Sequence, residues 1–268
     1  MPLLLQISDT HFGTEQPPVV DALVALAVQQ QPELVVLSGD VTQRARPAQF
    51  QAAKAALDRL GVPVLAIPGN HDIPLYDLFT RLVRPYAHFR AVFGDVLEPV
   101  HASPDFLVIG VKTTRRWRHK DGEVSTEQID RVAARLQQAV PEQLRIVVVH
   151  QPMAVQQAKD AHDRLHNCDR ALEAWAKAGC DLVLGGHIHL PYVIELPGLA
   201  RPIWAVQAGT ALSSRVRGGI PNSVNLLRWG ASAHRKNHCM IERWDYSGNA
   251  KAFARISSTD VNPGASSR

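Results

Sequence analysis

Short apolar runs bounded by glycine or proline alternate along this chain with segments of helical period, and that alternation constrains the fold more than any other feature. The runs 3–7, 34–37, 64–67, 106–111, 146–149 and 182–184 are too short for helices and read as strands. Helices are predicted around 18–30, 47–60, 125–139 and 167–178. Pro47 near the start and Gly61 just past the end mark the second of these, and Ser125 followed by Gln128 is a capping-box pattern for the third. Strands alternating with helices predict βαβ units and a largely parallel sheet. Beyond residue 190 the runs 192–196, 203–207, 223–229 and 239–245 follow one another without a helix between them, which predicts a second, more antiparallel sheet packed on the first. No linker or internal repeat divides the chain. A single domain over residues 1–256 is expected, with a polar, frayed tail over 257–268.

The polar residues that matter stand where the strands end. LLLQIS runs into Asp9, Thr10 and His11; LVVLSG into Asp40; VLAIPG into Asn70 and His71; RIVVV into His150; and LVLGG into His187 and His189. Carboxyl ends of parallel strands share one edge, and in open α/β sheets that edge is where ligands bind. Residues i and i+2 of extended chain point to the same side, so Asp9 and His11 can face one site together, as can His187 and His189. Glycines ahead of Asp40, Asn70 and His187 allow sharp turns. Two carboxylates, four imidazoles and an amide oxygen, with His71 left over, suit Mn, Fe, Zn or Co better than Mg or Ca. Seven ligands are too many for one open ion and about right for two ions sharing Asp40. Such a pair, roughly 3.5–4 Å apart, activates water and clamps an in-line displacement at phosphorus.

Composition narrows the alternatives. With 268 residues, 46% hydrophobic and 20% charged, the chain can bury a substantial core. A net charge of +4 suits an anionic substrate but lacks the concentrated basic footprint of a nucleic-acid binder. Cys168, Cys180 and Cys239 show no metal-type spacing, which excludes a disulfide scaffold and points to a reducing compartment. The opening MPLLLQISDTHFG has no basic n-region and reads as a first strand rather than a signal peptide. No run has membrane-spanning length, and a cytoplasmic location is expected.

Taken together, Asp9-x-His11, Gly39-Asp40, Gly69-Asn70-His71-Asp72, His150 and Gly186-His187-x-His189 resemble the five-block signature of the calcineurin-like metallophosphoesterases in order and in strand placement. The blocks cover residues 9–189, and the short GNHD and GHxH spacing is most similar to the class III cyclic-nucleotide and glycerophosphodiester phosphodiesterases. The resemblance implies an α/β fold, a four-layer αββα sandwich of two packed mixed β-sheets flanked by helices. It implies that Asp9, His11, Asp40 and His189 hold one divalent transition metal. Asp40, Asn70, His150 and His187 would hold the other, with Asp40 bridging. A hydroxide between the metals would attack phosphorus, and His71 would contact the phosphate and protonate the leaving oxygen.

Two positions depart from the family pattern. Relatives often carry Asp where this chain has Gln43; a neutral amide can orient an imidazole but does not stabilise its cation as a carboxylate does. His71 would then lean on Asp72 or on the phosphate itself. The common His-His-Pro block is His150-Gln151-Pro152. Arg44 stands where phosphoprotein phosphatases bind phosphate; it either takes two phosphoryl oxygens or is a solvated loop residue ahead of Pro47. The basic loops 113–122 and 213–225 either cradle a phosphodiester or are solvated surface. His88, His101, His162, His166, His234 and His238 read as surface or loop residues, with His162 and His166 the candidates for exceptions.

The function expected is a metal-dependent phosphodiesterase acting on a small diester, a cyclic nucleotide or glycerophosphodiester. An exonuclease-like or phosphomonoesterase member of the same superfamily is the alternative; nucleic acid is a less favoured substrate. A non-catalytic scaffold fits less well, because every ligand position is filled. An exposed edge of the second sheet could pair two copies into a homodimer.

Overall fold

Leu3, Leu5 and Ile7 of strand β1 (Leu3–Ile7) point to one face, and Leu4 and Gln6 to the other. All five are buried, so both faces of this strand must be covered. The architecture follows from that requirement. It is seen in a computed structural model that describes residues 1–232 and 235–263.

β1 pairs in parallel with β2 (Leu34–Leu37), and β2 with β3 (Val64–Ala66). A second sheet contains β4 (Val100–Ala102), β5 (Phe106–Gly110), β6 (Leu144–Val148), β7 (Leu182–Gly185), β8 (Tyr192–Leu196) and β9 (Ile203–Gln207). Its order is β4-β5-β6-β7-β9-β8, with β5, β6, β7 and β9 parallel and the two outer strands antiparallel. The first sheet is completed by β10 (Ser223–Ser232), β11 (Arg235–Ser247) and β12 (Ala252–Val261), in the order β12-β11-β10-β1-β2-β3.

Three apolar clusters make the layers. Helices α1 (Pro17–Gln30) and α2 (Pro47–Asp58) lay Leu23, Leu26, Phe50 and Leu57 on Leu3, Leu5 and Ile7. Short α3 (Leu78–Val83) and α4 (Ala87–Phe93) follow, and α4 adds Phe89 to that layer. Helices α5 (Thr126–Leu136) and α6 (Cys168–Lys177) pack Ile129, Val132, Leu172 and Trp175 on Val147 and Val183 of the second sheet. Between the sheets, Leu4, Val36, Leu65 and Ile67 meet Val108, Ile146, Val148, Leu184 and Val206. The result is the four-layer αββα sandwich that the family resemblance implied. The capping box forms at α5: Gln128 N donates to Ser125 Oγ at 3.2 Å, and Ser125 N to Gln128 Oε1 at 3.0 Å.

The strands past residue 190 do not form a sheet of their own. β9 and β8 extend the sheet of β7, while β10, β11 and β12 extend that of β1, because each parallel block leaves an edge strand whose backbone groups need partners. The expected frayed tail does not include residues 257–261. Ser257 pairs with Arg243 and Val261 with Cys239, so the polar texture of this stretch is that of a solvated edge strand. Residues 264–268 and His234 lie outside the described residues. His238, read as surface, is buried in β11 with Nε2 2.7 Å from an Asp260 oxygen.

A buried polar seam crosses the sandwich beneath the strand ends. Asn225 Nδ2 donates to Gln6 Oε1 at 2.9 Å, Gln6 Nε2 donates to Gly185 O at 3.1 Å, and the Gln207 amide donates to Gly186 O. These bonds tie the end of β7 to both sheets. Cys168, Cys180 and Cys239 are buried and unpaired, and no helix of the described residues is long and apolar enough to cross a membrane.

Candidate metal centre

Where β1, β2 and β7 end, the chain turns through left-handed residues that are not glycine. Asp9 (φ 51°), His11 (φ 43°), Asp40 (φ 49°), His187 (φ 73°) and His189 (φ 57°) all take this conformation. Each costs on the order of 1–3 kcal/mol unless its surroundings impose it. Of nine such residues among those described, five are here, so the strain is concentrated at this site. Asp9 and His11 lie together in one buried cluster and His187 and His189 both line the cleft, placed by left-handed turns after the strands rather than by extended pairing. Backbone bonds hold the turns: Asp9 N to Gly39 O at 3.1 Å, His11 N to Asp40 O at 3.0 Å, and Gly186 N to His150 O at 2.9 Å. Gly39 has φ 99°, and a Cβ there would enter the His150 ring. At Gly69 the need is close approach, since a Cβ would overlap the backbone and carboxylate of Asp40.

The five strand ends come from both sheets, and the seven residues carried over from the family motif converge between them. One cluster joins Asp9, His11 and His189; another joins Asp40, His150 and His187, with the ligand atoms of each group within 4.8 Å of one another. Asp40 touches both. Its Oδ2 lies 3.7 Å from His11 Nε2, and its Oδ1 lies 3.3 Å from His150 Nε2. Asn70 Oδ1 is 3.2 Å from His150 Nε2. His11 Nε2 and His189 Nε2 approach to 3.1 Å, a spacing at which two imidazole lone pairs share a proton or a cation.

Backbone carbonyls orient the rings. His150 Nδ1 is 2.8 Å from Ser38 O and His189 Nδ1 is 2.6 Å from Arg215 O. A carbonyl can only accept, so each Nδ1 carries a proton and each Nε2 faces the cluster, the arrangement that metal-binding histidines use. Oxygen and imidazole donors without thiolate fit divalent Mn, Fe or Zn.

Burial alone would raise the Asp9 carboxyl, but the His189 imidazole beside it holds it at about 2. Burial likewise opposes ionisation of Asp40, yet His150 and His71 keep it well below the usual range. Burial lowers His11 to about 3 against the pull of Asp40 and Asp9. For His150, burial is outweighed by the Asp40 charge, and the group rises to about 9. To hold a cation, His150 must present Nε2 without its proton.

His71 stands at the edge of both clusters. Its Nδ1 is 2.9 Å from the backbone oxygen of Gln43. Asp72 does not orient it. That carboxyl is buried and accepts from Val41 N, Thr42 N, Thr42 Oγ1 and Gly69 N at 2.8–3.0 Å, binding the turn after β2 to the turn after β3. Burial, followed by the Asp40 charge, raises Asp72 to about 7. Arg44 is exposed and stands outside the main cleft, its guanidinium 5.8 Å from the Tyr76 ring centroid.

The clusters open into a cleft of about 500 Å³ whose other walls come from loops. Loop 113–122 supplies His119 and Lys120. Arg115 and Arg116 of that loop are spent on the carbonyls of Lys112, Thr114 and Leu82, and Arg118 on Glu123. Gln151 clamps this loop from below: its Oε1 accepts from Thr113 Oγ1 at 2.6 Å and its Nε2 donates to Lys120 O at 2.9 Å. Loop 213–225 supplies Arg215, while Arg217 is tied to Asp160 and to Ile188 O. Asp163 also lines the cleft, with Oδ1 3.7 Å from His187 Nε2, whereas its neighbour His162 points to solvent. The sequence offers the Arg-bearing loop 213–225 as a candidate cradle without singling out Arg215, and it does not mark Asp163. The structure shows why Arg215 arrives there: β9 lies parallel to β7, so the loop beyond its carboxyl end opens onto the same edge.

Comparison with known proteins agrees with this geometry. Residues 2–191 match the family model described as calcineurin-like phosphoesterase. A probable cyclic nucleotide phosphodiesterase of a Synechococcus species is 27% identical over 200 residues, 71% of this chain and 74% of that protein. A glycerophosphodiester phosphodiesterase of Enterobacter lignolyticus is 37% identical over 81 residues, covering 26% of this chain and 29% of that protein. Among solved structures, a dimetal phosphatase from Danio rerio superposes with a TM-score of 0.70 at 13% identity, covering 98% of this chain and 99% of that one. Vacuolar protein sorting 29 of Cryptosporidium parvum superposes at 0.51 and 15% identity, covering 97% and 98%. These two are likenesses of fold.

Proposed function

Because the chain belongs to the calcineurin-like phosphoesterase family, we propose that it is a dinuclear metal-dependent phosphodiesterase acting on a small diester, a cyclic nucleotide or glycerophosphodiester. The observation that carries this reading is the divided carboxylate of Asp40, with one oxygen toward each cluster. Asp9, His11, Asp40 and His189 would hold one ion; Asp40, Asn70, His150 and His187 would hold the other. Two such ions, Mn, Fe or Zn, would supply Lewis acidity at the phosphoryl oxygens and a more acidic attacking water.

The chain's own residues do the rest. The left-handed turns preset the ligand positions, so little reorganisation accompanies binding. His71, held at Nδ1 by the Gln43 carbonyl, offers Nε2 to the cleft. From there the imidazolium form, with a proton on each nitrogen, can pass its Nε2 proton to the departing alkoxide and be left as the Nδ1–H tautomer, the step that needs help when the leaving group is a poor one. Lys120 and Arg215 make the cleft receptive to an anion. The curated relatives named above are both described as phosphodiesterases, which favours a diester over a monoester. Three unpaired thiols fit a reducing, cytoplasmic setting.

Metal analysis of freshly purified protein, read beside hydrolysis of bis(p-nitrophenyl) phosphate, tests the proposal. About two transition ions per chain are expected, with activity lost on chelation and restored by Mn. Activity that survives exhaustive chelation would overturn it. A panel of 2′,3′- and 3′,5′-cyclic nucleotides, glycerophosphodiesters, phosphomonoesters and single-stranded DNA then separates the diester reading from monoesterase and exonuclease activity.

A further inference from the structure

Arg215 is anchored through its backbone and extended through its side chain. Its carbonyl accepts from His189 Nδ1 at 2.6 Å and from Thr210 Oγ1 at 2.8 Å, which fixes where the residue begins. Its Nη1 reaches Gln43 Oε1 at 3.1 Å, His71 Nε2 at 3.2 Å and the His11 ring nitrogens at 3.4 Å. The guanidinium thus stands among the imidazoles. Among the described residues no carboxylate forms an ion pair with it, and its Nη2 and Nε make no hydrogen bond within the protein. The neighbouring Arg217, by contrast, is paired with Asp160 at 2.7 Å. A half-buried guanidinium that meets an amide and imidazoles but no carboxylate, and keeps unused donors, is an anion receptor whose charge has not been neutralised.

We propose that Arg215 binds the non-bridging phosphoryl oxygens of the substrate and that Gln43 is its positioning residue; the assignment rests on the phosphoesterase reading of the same site. Arg44 lies in a smaller adjoining recess with Asn70 and His71, its guanidinium over Tyr76, and does not line the cleft that Arg215 enters. The neutral amide at position 43 acquires a purpose here. It fixes Nη1 by one hydrogen bond and leaves the positive charge free, whereas a carboxylate at that position would pair with the guanidinium and compete with the phosphoryl group. Orientation of His71 does not suffer from the amide, because the backbone oxygen of Gln43 provides it whatever the side chain.

The probe is inorganic phosphate. Its dissociation constant is measured by calorimetry on metal-replete protein, its inhibition constant against bis(p-nitrophenyl) phosphate, and metal content is quantified for every variant. Arg215→Met is expected to weaken phosphate binding by about ten-fold or more, the scale of one charge-assisted hydrogen bond, and Arg215→Lys by less. Gln43→Asp is expected to weaken it as well, with metal content kept; Arg44→Met should leave it unchanged. Unaltered affinity in Arg215→Met, or loss with Arg44→Met alone, overturns the assignment of Arg215. Unaltered affinity in Gln43→Asp overturns the role of Gln43. If the wild type binds phosphate through Arg215 but hydrolyses no ester, the enzymatic reading fails and the anion site stands.

Discussion

His71 Nδ1 lies 2.9 Å from the main-chain oxygen of Gln43, so the ring is oriented by backbone rather than by a neighbouring side chain. The tautomer this imposes leaves Nε2 as the working atom. His71→Ala is expected to lower kcat by roughly 10²–10⁴-fold for a diester with an alkoxide leaving group. The loss should be much smaller with a p-nitrophenolate leaving group, which departs without a proton, and metal content should not change. Paired kinetics on the two substrate types check this; equal losses on both would exclude His71 as the acid.

Asp40→Asn removes the charge that faces both clusters. An amide offers one oxygen where the carboxylate presents two, and it also forfeits the hold on His150. Loss of a direct ligand should exceed the roughly 10–100-fold typical of removing a ligand's hydrogen-bond partner. Both bound ions and turnover should fall together, read by metal analysis and diester hydrolysis.

Gly39→Ala combines a positive φ with a Cβ directed into the His150 ring. Strain of about 1–3 kcal/mol is expected from the backbone alone. Displacement of His150 should follow, so a lower thermal midpoint accompanied by lower metal occupancy is the expected pair of results. A fall in stability with full occupancy would show that the ring can move aside.

How far these features were legible differs from one residue to the next. The clustered residues were legible because each strand is a short, largely buried and mostly apolar run and the polar residues just beyond it stand at the sheet edge. The partition of the late strands did not, because 203–207 and 223–229 have the same texture whether they join one sheet or two; only the open edges of β7 and β1 decide it. Helix α3 was illegible for a related reason. It buries none of its residues, with Leu78 and Phe79 65% and 75% exposed, so no face is marked by burial in its pattern. Arg215 and Asp163 reach the cleft from loops, where no periodicity reports direction.

Gln151→Ala tests whether loop 113–122 shapes the substrate pocket. The side chain is fully buried, and its loss leaves Thr113 Oγ1 and Lys120 O without their partner, at about 1–3 kcal/mol. Freed from below, His119 and Lys120 should no longer be held at the cleft. KM for the diester is expected to rise with kcat and metal content little changed. An unaltered KM would assign the loop to the surface.

Acid should weaken the fold through Glu242 in the β10–β11–β12 arm. Burial alone would raise this carboxyl, but hydrogen bonds from Arg255 and Trp244 and the charge of Arg228 outweigh it and hold the group below its ordinary 4.5. A depressed carboxyl favours the native state at pH values above 4.5, where the unfolded chain is also ionised. That contribution is lost as pH falls through the lower native value, since the unfolded state takes up its proton first. Glu242→Gln should therefore be less stable than the wild type at pH 7, and the gap should narrow steadily below pH 4.5. Thermal midpoints of the two proteins between pH 7 and pH 3 check the sign; a gap that widens on acidification would show that the charge of Glu242 opposes folding.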